Sequence, residues 1–340
     1  MHPYGICLAA SILVGLLVLF LCDARKIKDP IERKNCIRAL TVFAVLAIPL
    51  GLFFGRLAFA LARFAWFRDR GLAWLFQLQN GGFMLYGVVA GLLLACVLSA
   101  KICRIPFSSI ADLVAAPALL TLSLERFSEY LVQVGYGYPL SDWFSVWAFS
   151  PDEYTSMSYF HLKDIRFLER FPFAMIDSHY GEAMWAVCVL MGLITLCLFF
   201  ILRHHTFRRA GDRTLIALSM VIASTIAYES MRQDDVTKWG VTGVVRAVEV
   251  IGAVLLLLVM LWAQIRMQPP RKVSAMVLSW IYLLLCMGMV ICMEFALERK
   301  IMFLLWMRMD LCYLVMLLSC AGMVHAVSLT MLGRQPDRLN

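Results

Sequence analysis

Three charged residues, Glu125, Arg126 and Glu129, stand in the stretch LLTLSLERFSEYLVQVGYG, which begins at Leu119 as an apolar run. If a helix continues through Tyr130, Arg126 and Glu129 are three residues apart and Glu125 and Glu129 four apart, so they share a face. Two carboxylates beside one guanidinium hold and orient it. The planar fork of an arginine offers phosphate two parallel hydrogen bonds. Charged residues at membrane depth are candidates for function by default. The same cluster equally fits an arginine that snorkels at a helix end among local partners.

Two further groupings carry chemistry. In NGGFMLYGVVAGLLLA, Asn80 to Ala95, Gly87 and Gly91 are four apart and strip one helix face of side chains, with Tyr86 beside it. Such a face lets another backbone come close, and a packing groove with a satisfied tyrosine is its ordinary meaning. In STIAYESMRQDDVTKWGVTGVVRAVEV, Glu229 and Arg232 are three apart, and Asp234, Asp235 and Lys238 follow. Arg246 and Glu249 then open the next apolar run. Ion pairs at a span boundary are the ordinary explanation there.

The elements that must position these residues follow from composition. Of 340 residues 62% are hydrophobic and 16% charged, against about 45–50% and about 25% in soluble domains. Lipid must solvate most of this surface. We therefore expect an all-α integral membrane protein, a polytopic helical bundle of about nine transmembrane helices with a small extracytoplasmic head. Windows of about 20 residues place spans near 4–22, 39–61, 81–100, 109–124, 181–202, 213–230, 246–265, 273–293 and 310–332. Residues 62–80 read as a loop or an interfacial helix.

Lysine and arginine are densest in alternate loops, such as DARKIKDPIERKNCIR and RHHTFRRAGDR. That places the N-terminus outside and the C-terminus in the cytoplasm. It also accounts for the net charge of +8. Because the basic residues are spread over several short loops, no nucleic-acid partner is expected. The first span reads as retained, since no Lys or Arg precedes it. The eleven cysteines include no CxxC pair, so neither disulfides nor metal are expected; nor is a cofactor. The segment from Glu125 to Tyr180 is rich in Trp and Tyr, which favour the headgroup level. It is an interfacial loop or a platform where a lipid-embedded substrate docks. Glu294 and Glu298 with Arg299 are expected in the outer loop between the last two spans. By this topology all three groupings meet the same outer leaflet.

In order, the three groupings resemble the motifs of the prolipoprotein diacylglyceryl transferase family. ERFSEYLVQVGYG is similar to the family signature G-R-I-G-N-F-I-N-G-E-x-x-G, with Arg126 and Gly137 at the same separation. GFMLYGVVAG resembles G-x-x-F-H-G-G-x-x-G, and TIAYESMRQDD resembles R-F-x-x-E-F-x-R-x-D with Glu229, Arg232 and Asp234 in place. RFPFAMID resembles H-P-x-x-L-Y-E. Among the departures, Tyr86 stands where the family has His, Thr225 where it has Arg, Glu129 where it has Asn, and Val134 where it has Glu. The resemblance covers residues 1–266, a seven-span domain with its head at about 125–180. Residues 267–340 form a two-span extension without a counterpart.

The resemblance implies transfer of a diacylglyceryl group from phosphatidylglycerol to a cysteine thiol in the signal-peptide segment of a prolipoprotein, at a bacterial plasma membrane. It implies Arg126 as the phosphate clamp, with Arg232 or Arg246 as a second contact. Glu129 is then either the tether of Arg126 or a general base. Tyr86, a poor base with an ordinary pKa of about 10, is a hydrogen-bond donor to phosphate or ester. Gly137 and Glu229 complete the substrate-binding set. His179 is another candidate base, whereas His204 and His205 fall on the opposite side. Tyr86 and Thr225 motivate an alternative: a phospholipid-binding membrane protein or transporter that keeps the fold without the chemistry.

Overall fold

Each long apolar run is a helix, since backbone polar groups in hydrocarbon must pair within their own segment. The computed structural model describes residues 3–26, 29–62, 64, 76, 82–138, 174–176, 183–207, 209–233, 246–266, 273–298, 307 and 309–331. Among them are nine helices long and apolar enough to cross a membrane. They are α1 (Pro3–Val18), α2 (Pro30–Ala62), α3 (Leu85–Cys103), α4 (Phe107–Leu131), α5 (Val187–His204), α6 (Asp212–Met231), α7 (Ala247–Ile265), α8 (Val273–Leu297) and α9 (Met309–Met331). The chain is thus a polytopic helical membrane protein. Large apolar side chains such as Leu285, Leu258 and Ile201 are exposed, as suits a lipid-facing surface.

Helices α2, α4 and α8 run longer than expected. Helix α2 starts at Pro30, whose missing N–H is no loss in a first turn. Asp29 caps it, its carboxylate accepting the Ile31 N–H at 3.0 Å. Helix α4 continues to Leu131, so the spacing of Glu125, Arg126 and Glu129 is helical. One element was not foreseen: β1 (Ala174–Ile176) pairs antiparallel with β2 (Ala183–Trp185), with Met175 opposite Met184. The loop 62–80 and the rest of the aromatic head lie almost wholly outside the described residues, as do His179, Asp234, Asp235 and Lys238.

The chain divides into two compact units. One gathers Ala9–Thr121 and Phe199–Ala217. In it Leu40, Phe43, Ala47, Ala95 and Ala100 form an apolar core. A Cβ at Gly91 would lie 2.5 Å from the Leu50 carbonyl oxygen, and one at Gly87 would meet that of Phe54. The stripped face of α3 is therefore a packing groove against α2. Asp112 of α4 holds the start of α6, accepting from the Gly211 N–H at 2.5 Å and the Thr214 N–H at 2.9 Å.

The other unit gathers Met1–Leu8, Leu122–Leu198 and Leu218–Asn340. Helix α4 packs on α5 where the Phe127 ring covers Gly192 and the Ser123 hydroxyl donates to the Gly192 carbonyl at 2.7 Å. Helix α6 is the least apolar of the nine spans, and every residue from Val221 to Ser230 is buried. It faces protein on all sides rather than lipid.

Candidate active site

The final turns of α4 and α6 carry the charged groups. Arg126 Nη1 donates to Glu129 Oε1 at 2.8 Å and lies 3.8 Å from Glu125. Arg126 and Glu129 are both buried. The other Glu129 oxygen accepts the Tyr228 hydroxyl at 2.6 Å. Tyr228 is fully buried, and its ring carries two cations: the Arg126 guanidinium carbon 4.0 Å from the centroid and that of Arg232 at 5.0 Å. Arg232 Nη1 donates in turn to Glu229 at 3.1 Å. Two guanidiniums and two carboxylates thus meet around one phenol. In a water-poor site their positions are fixed before any ligand arrives.

The chain following α4 supports this group from below. Gly135 has a φ of 78°, and a Cβ there would fall on the Tyr228 hydroxyl and 3.1 Å from Cys188 Cβ. Only glycine permits both that backbone conformation and that approach. The segment is then tied down on two sides. Gln233 N–H donates to the Tyr136 carbonyl at 2.8 Å, and Gly137 N–H donates to the Trp185 carbonyl at 2.7 Å. With its N–H engaged, Gly137 supplies room: a Cβ would lie 3.1 Å from the Met231 carbonyl. Burial pushes the neighbouring Tyr138 phenol above its ordinary range.

Arg246 stands at the start of α7 and is almost fully buried. Its backbone N–H donates to Glu249 at 2.8 Å, the glutamate reaching back as in a capping box. Its Nη2 donates to the Arg232 carbonyl. Its Nε and Nη1 have no hydrogen-bond partner among the described residues.

Arg126, Glu129, Gly137, Glu229, Arg232 and Arg246 therefore belong to one unit, and Tyr86 to the other. Tyr86 is buried on α3, beside the packing groove. Thr225 bonds its hydroxyl to the Val221 carbonyl of its own helix at 2.7 Å. It supplies no cation in place of the arginine that the motif resemblance led one to expect.

Comparison with known proteins decides the family. The family model for prolipoprotein diacylglyceryl transferase matches residues 1–261. The chain belongs to the prolipoprotein diacylglyceryl transferase family. It is similar to the phosphatidylglycerol–prolipoprotein diacylglyceryl transferase of Listeria monocytogenes, at 23% identity over 268 residues, covering 78% of this chain and 87% of that protein. The protein of that name from Trichormus variabilis is 24% identical, covering 80% of this chain and 89% of its own. That from Nostoc sp. is 24% identical, covering 78% and 86%. With family and spans together, this is a multi-pass bacterial membrane protein.

Two residues of this family member escaped the sequence analysis. Tyr228 occupies an unspecified position of the third motif, and nothing local marks it. Arg56 lies in α2, is 1% exposed, and donates from Nη1 to the Gly82 carbonyl at 3.0 Å. Phe59 and Phe83 flank its guanidinium at 5.8 and 6.0 Å. A lone arginine inside an apolar run was itself the signal that would have found it.

Proposed function

We propose that this chain transfers a diacylglyceryl group from phosphatidylglycerol to a cysteine thiol of a prolipoprotein, at the outer leaflet of a bacterial plasma membrane. The observation that carries the reading is the convergence of Arg126 and Arg232 on the Tyr228 ring in a chain of this family. In the reaction a sulfur–carbon bond forms at the glyceryl carbon that bore the phosphate ester. The carbon–oxygen bond to that phosphate breaks, and glycerol phosphate leaves with the bonding pair. The leaving group is already a stable anion, so it needs fixed positive charge more than a proton.

Arg126 is the phosphate clamp, and Arg232 gives the second contact. Arg246, with two buried donors that have no hydrogen-bond partner among the described residues, extends the same binding surface. Both Glu129 oxygens are engaged, one by Arg126 and one by Tyr228, which supports the tether role. To take the thiol proton, Glu129 would first have to release Tyr228. Glu229 orients Arg232, and Gly137 lets the substrate-binding segment pack closely against Val187 and the Met231 carbonyl. Residues 1–266 form the catalytic domain, the N-terminus lies outside, and the acceptor binds through the signal-peptide segment of the prolipoprotein.

The test is complementation. The chain is expressed in cells depleted of their own enzyme, and lipidation of a reporter lipoprotein is followed. Wild type is expected to restore lipidation and Arg126→Ala to fail. A folded wild-type protein that restores none overturns the activity, and an active Arg126→Ala overturns the site. A protein that retains phosphatidylglycerol yet forms no thioether would be the lipid-binding alternative.

A further inference from the structure

The helix end that carries Glu229 and Arg232 is held by residues beyond the family match. Carbonyls in the last turn of a helix have no intrahelical partner. Here the Met231 carbonyl accepts the Tyr313 hydroxyl at 3.1 Å, and the Arg232 carbonyl accepts Arg246 Nη2. Tyr313 lies on α9, is buried, and sets its ring 6.2 Å from that of Tyr138.

The second support is anchored the same way. The Ser230 hydroxyl donates to Glu249 at 3.2 Å, and Glu249 holds the Arg246 N–H. Glu249 also pairs with Glu294 of α8. Glu294 is buried inside α8 rather than in an outer loop, which corrects the expectation from sequence. Both α8 and α9 begin after residue 261, where the family match ends. A helix pair that only filled space would meet its neighbours through apolar side chains. This one brings a phenol and a carboxyl to the supports of a single turn, the turn from which Arg232 reaches the Tyr228 ring.

Resting on the function proposed above, we propose that Tyr313 is a positioning residue of the site. Its hydroxyl holds the Met231 carbonyl, and so holds Arg232 where the phosphate of phosphatidylglycerol binds. The C-terminal helix pair is then part of the lipid site and contributes to it in cis.

The experiment is a double-mutant cycle on the purified full-length chain. Retention of fluorescent phosphatidylglycerol in detergent gives a Kd, and lipidation of a prolipoprotein peptide gives KM and kcat. Tyr313→Phe keeps the ring against Tyr138 and removes only the hydroxyl. It is expected to raise Kd and KM for the lipid about five-fold while kcat stays within about two-fold. In an Arg232→Gln background, adding Tyr313→Phe is expected to change Kd no further, because both act on one contact. Wild-type Kd and KM in Tyr313→Phe would overturn the proposal. So would a full loss that persists in the Arg232→Gln background. If the chain binds the lipid but forms no thioether, the transferase reading falls and the Kd cycle still decides the role of Tyr313. A wild-type chain that retains no phosphatidylglycerol overturns both.

Discussion

The Tyr228 hydroxyl donates to Glu129 across 99 residues of sequence, while its ring carries the Arg126 guanidinium 4.0 Å from its centre. One side chain thus supports both members of the Arg126–Glu129 pair. Two substitutions separate its functions. Tyr228→Phe keeps the ring but strips a buried carboxylate oxygen of its donor, at about 1–3 kcal/mol. Tyr228→Leu also removes the cation–π contact, which contributes about 2 kcal/mol when desolvated. Melting temperature in detergent is expected to fall from wild type to Tyr228→Phe to Tyr228→Leu, with activity following the same order.

Arg126→Lys keeps the charge and loses the fork. An ammonium is a compact, strongly hydrated point that cannot hold two phosphate oxygens in plane or stack on Tyr228. Loss of such a fixed donor lowers kcat by about 10²–10³-fold. That fall is expected in the peptide lipidation assay, at unchanged expression.

Glu129→Asn distinguishes a tether from a base. Breaking a buried ion pair costs about 3–5 kcal/mol. Part of that is offset here because Glu125 remains 3.8 Å from Arg126. The variant is expected to melt lower and to lose far less activity than the about 10²–10⁴-fold that removal of a general base produces. A loss within that range would make Glu129 the base.

Gly135→Ala tests the support beneath Tyr228. A left-handed backbone costs an L-residue about 1–2 kcal/mol, and the added methyl would collide with the Tyr228 hydroxyl. The expected outcome is a lowered melting temperature and reduced lipidation. Gly87→Ala, which opens α3 from α2 in the other unit, is expected to destabilise that packing instead.

Much of this was legible in the sequence. Apolar runs of spanning length gave the helices, because hydrocarbon leaves the backbone few alternatives. The spacing of Arg126 and Glu129 foretold their contact, since helix neighbours are set locally. Gly87 and Gly91 announced a close backbone in the same way. What stayed hidden was long-range. Tyr228 meets Glu129 only through the packing of α6 beside α4, and a tyrosine in an apolar run carries no mark of its partner. Glu294 looked like a loop residue because charge near a span end usually belongs to a loop. Helix α8 instead runs on to Leu297 and buries it. The ribbon of β1 and β2 is too short for periodicity to reveal.

The burial of α6 bears on how the protein is made. It is the least apolar span, and its last turn carries Glu229, so the bilayer alone gives it the weakest hold. Its stable surroundings include Tyr313, which is synthesised only after two further helices have emerged. Stable integration of this helix, which ends at Met231 just before Arg232, is thus expected to be late and cooperative, waiting on the C-terminal pair.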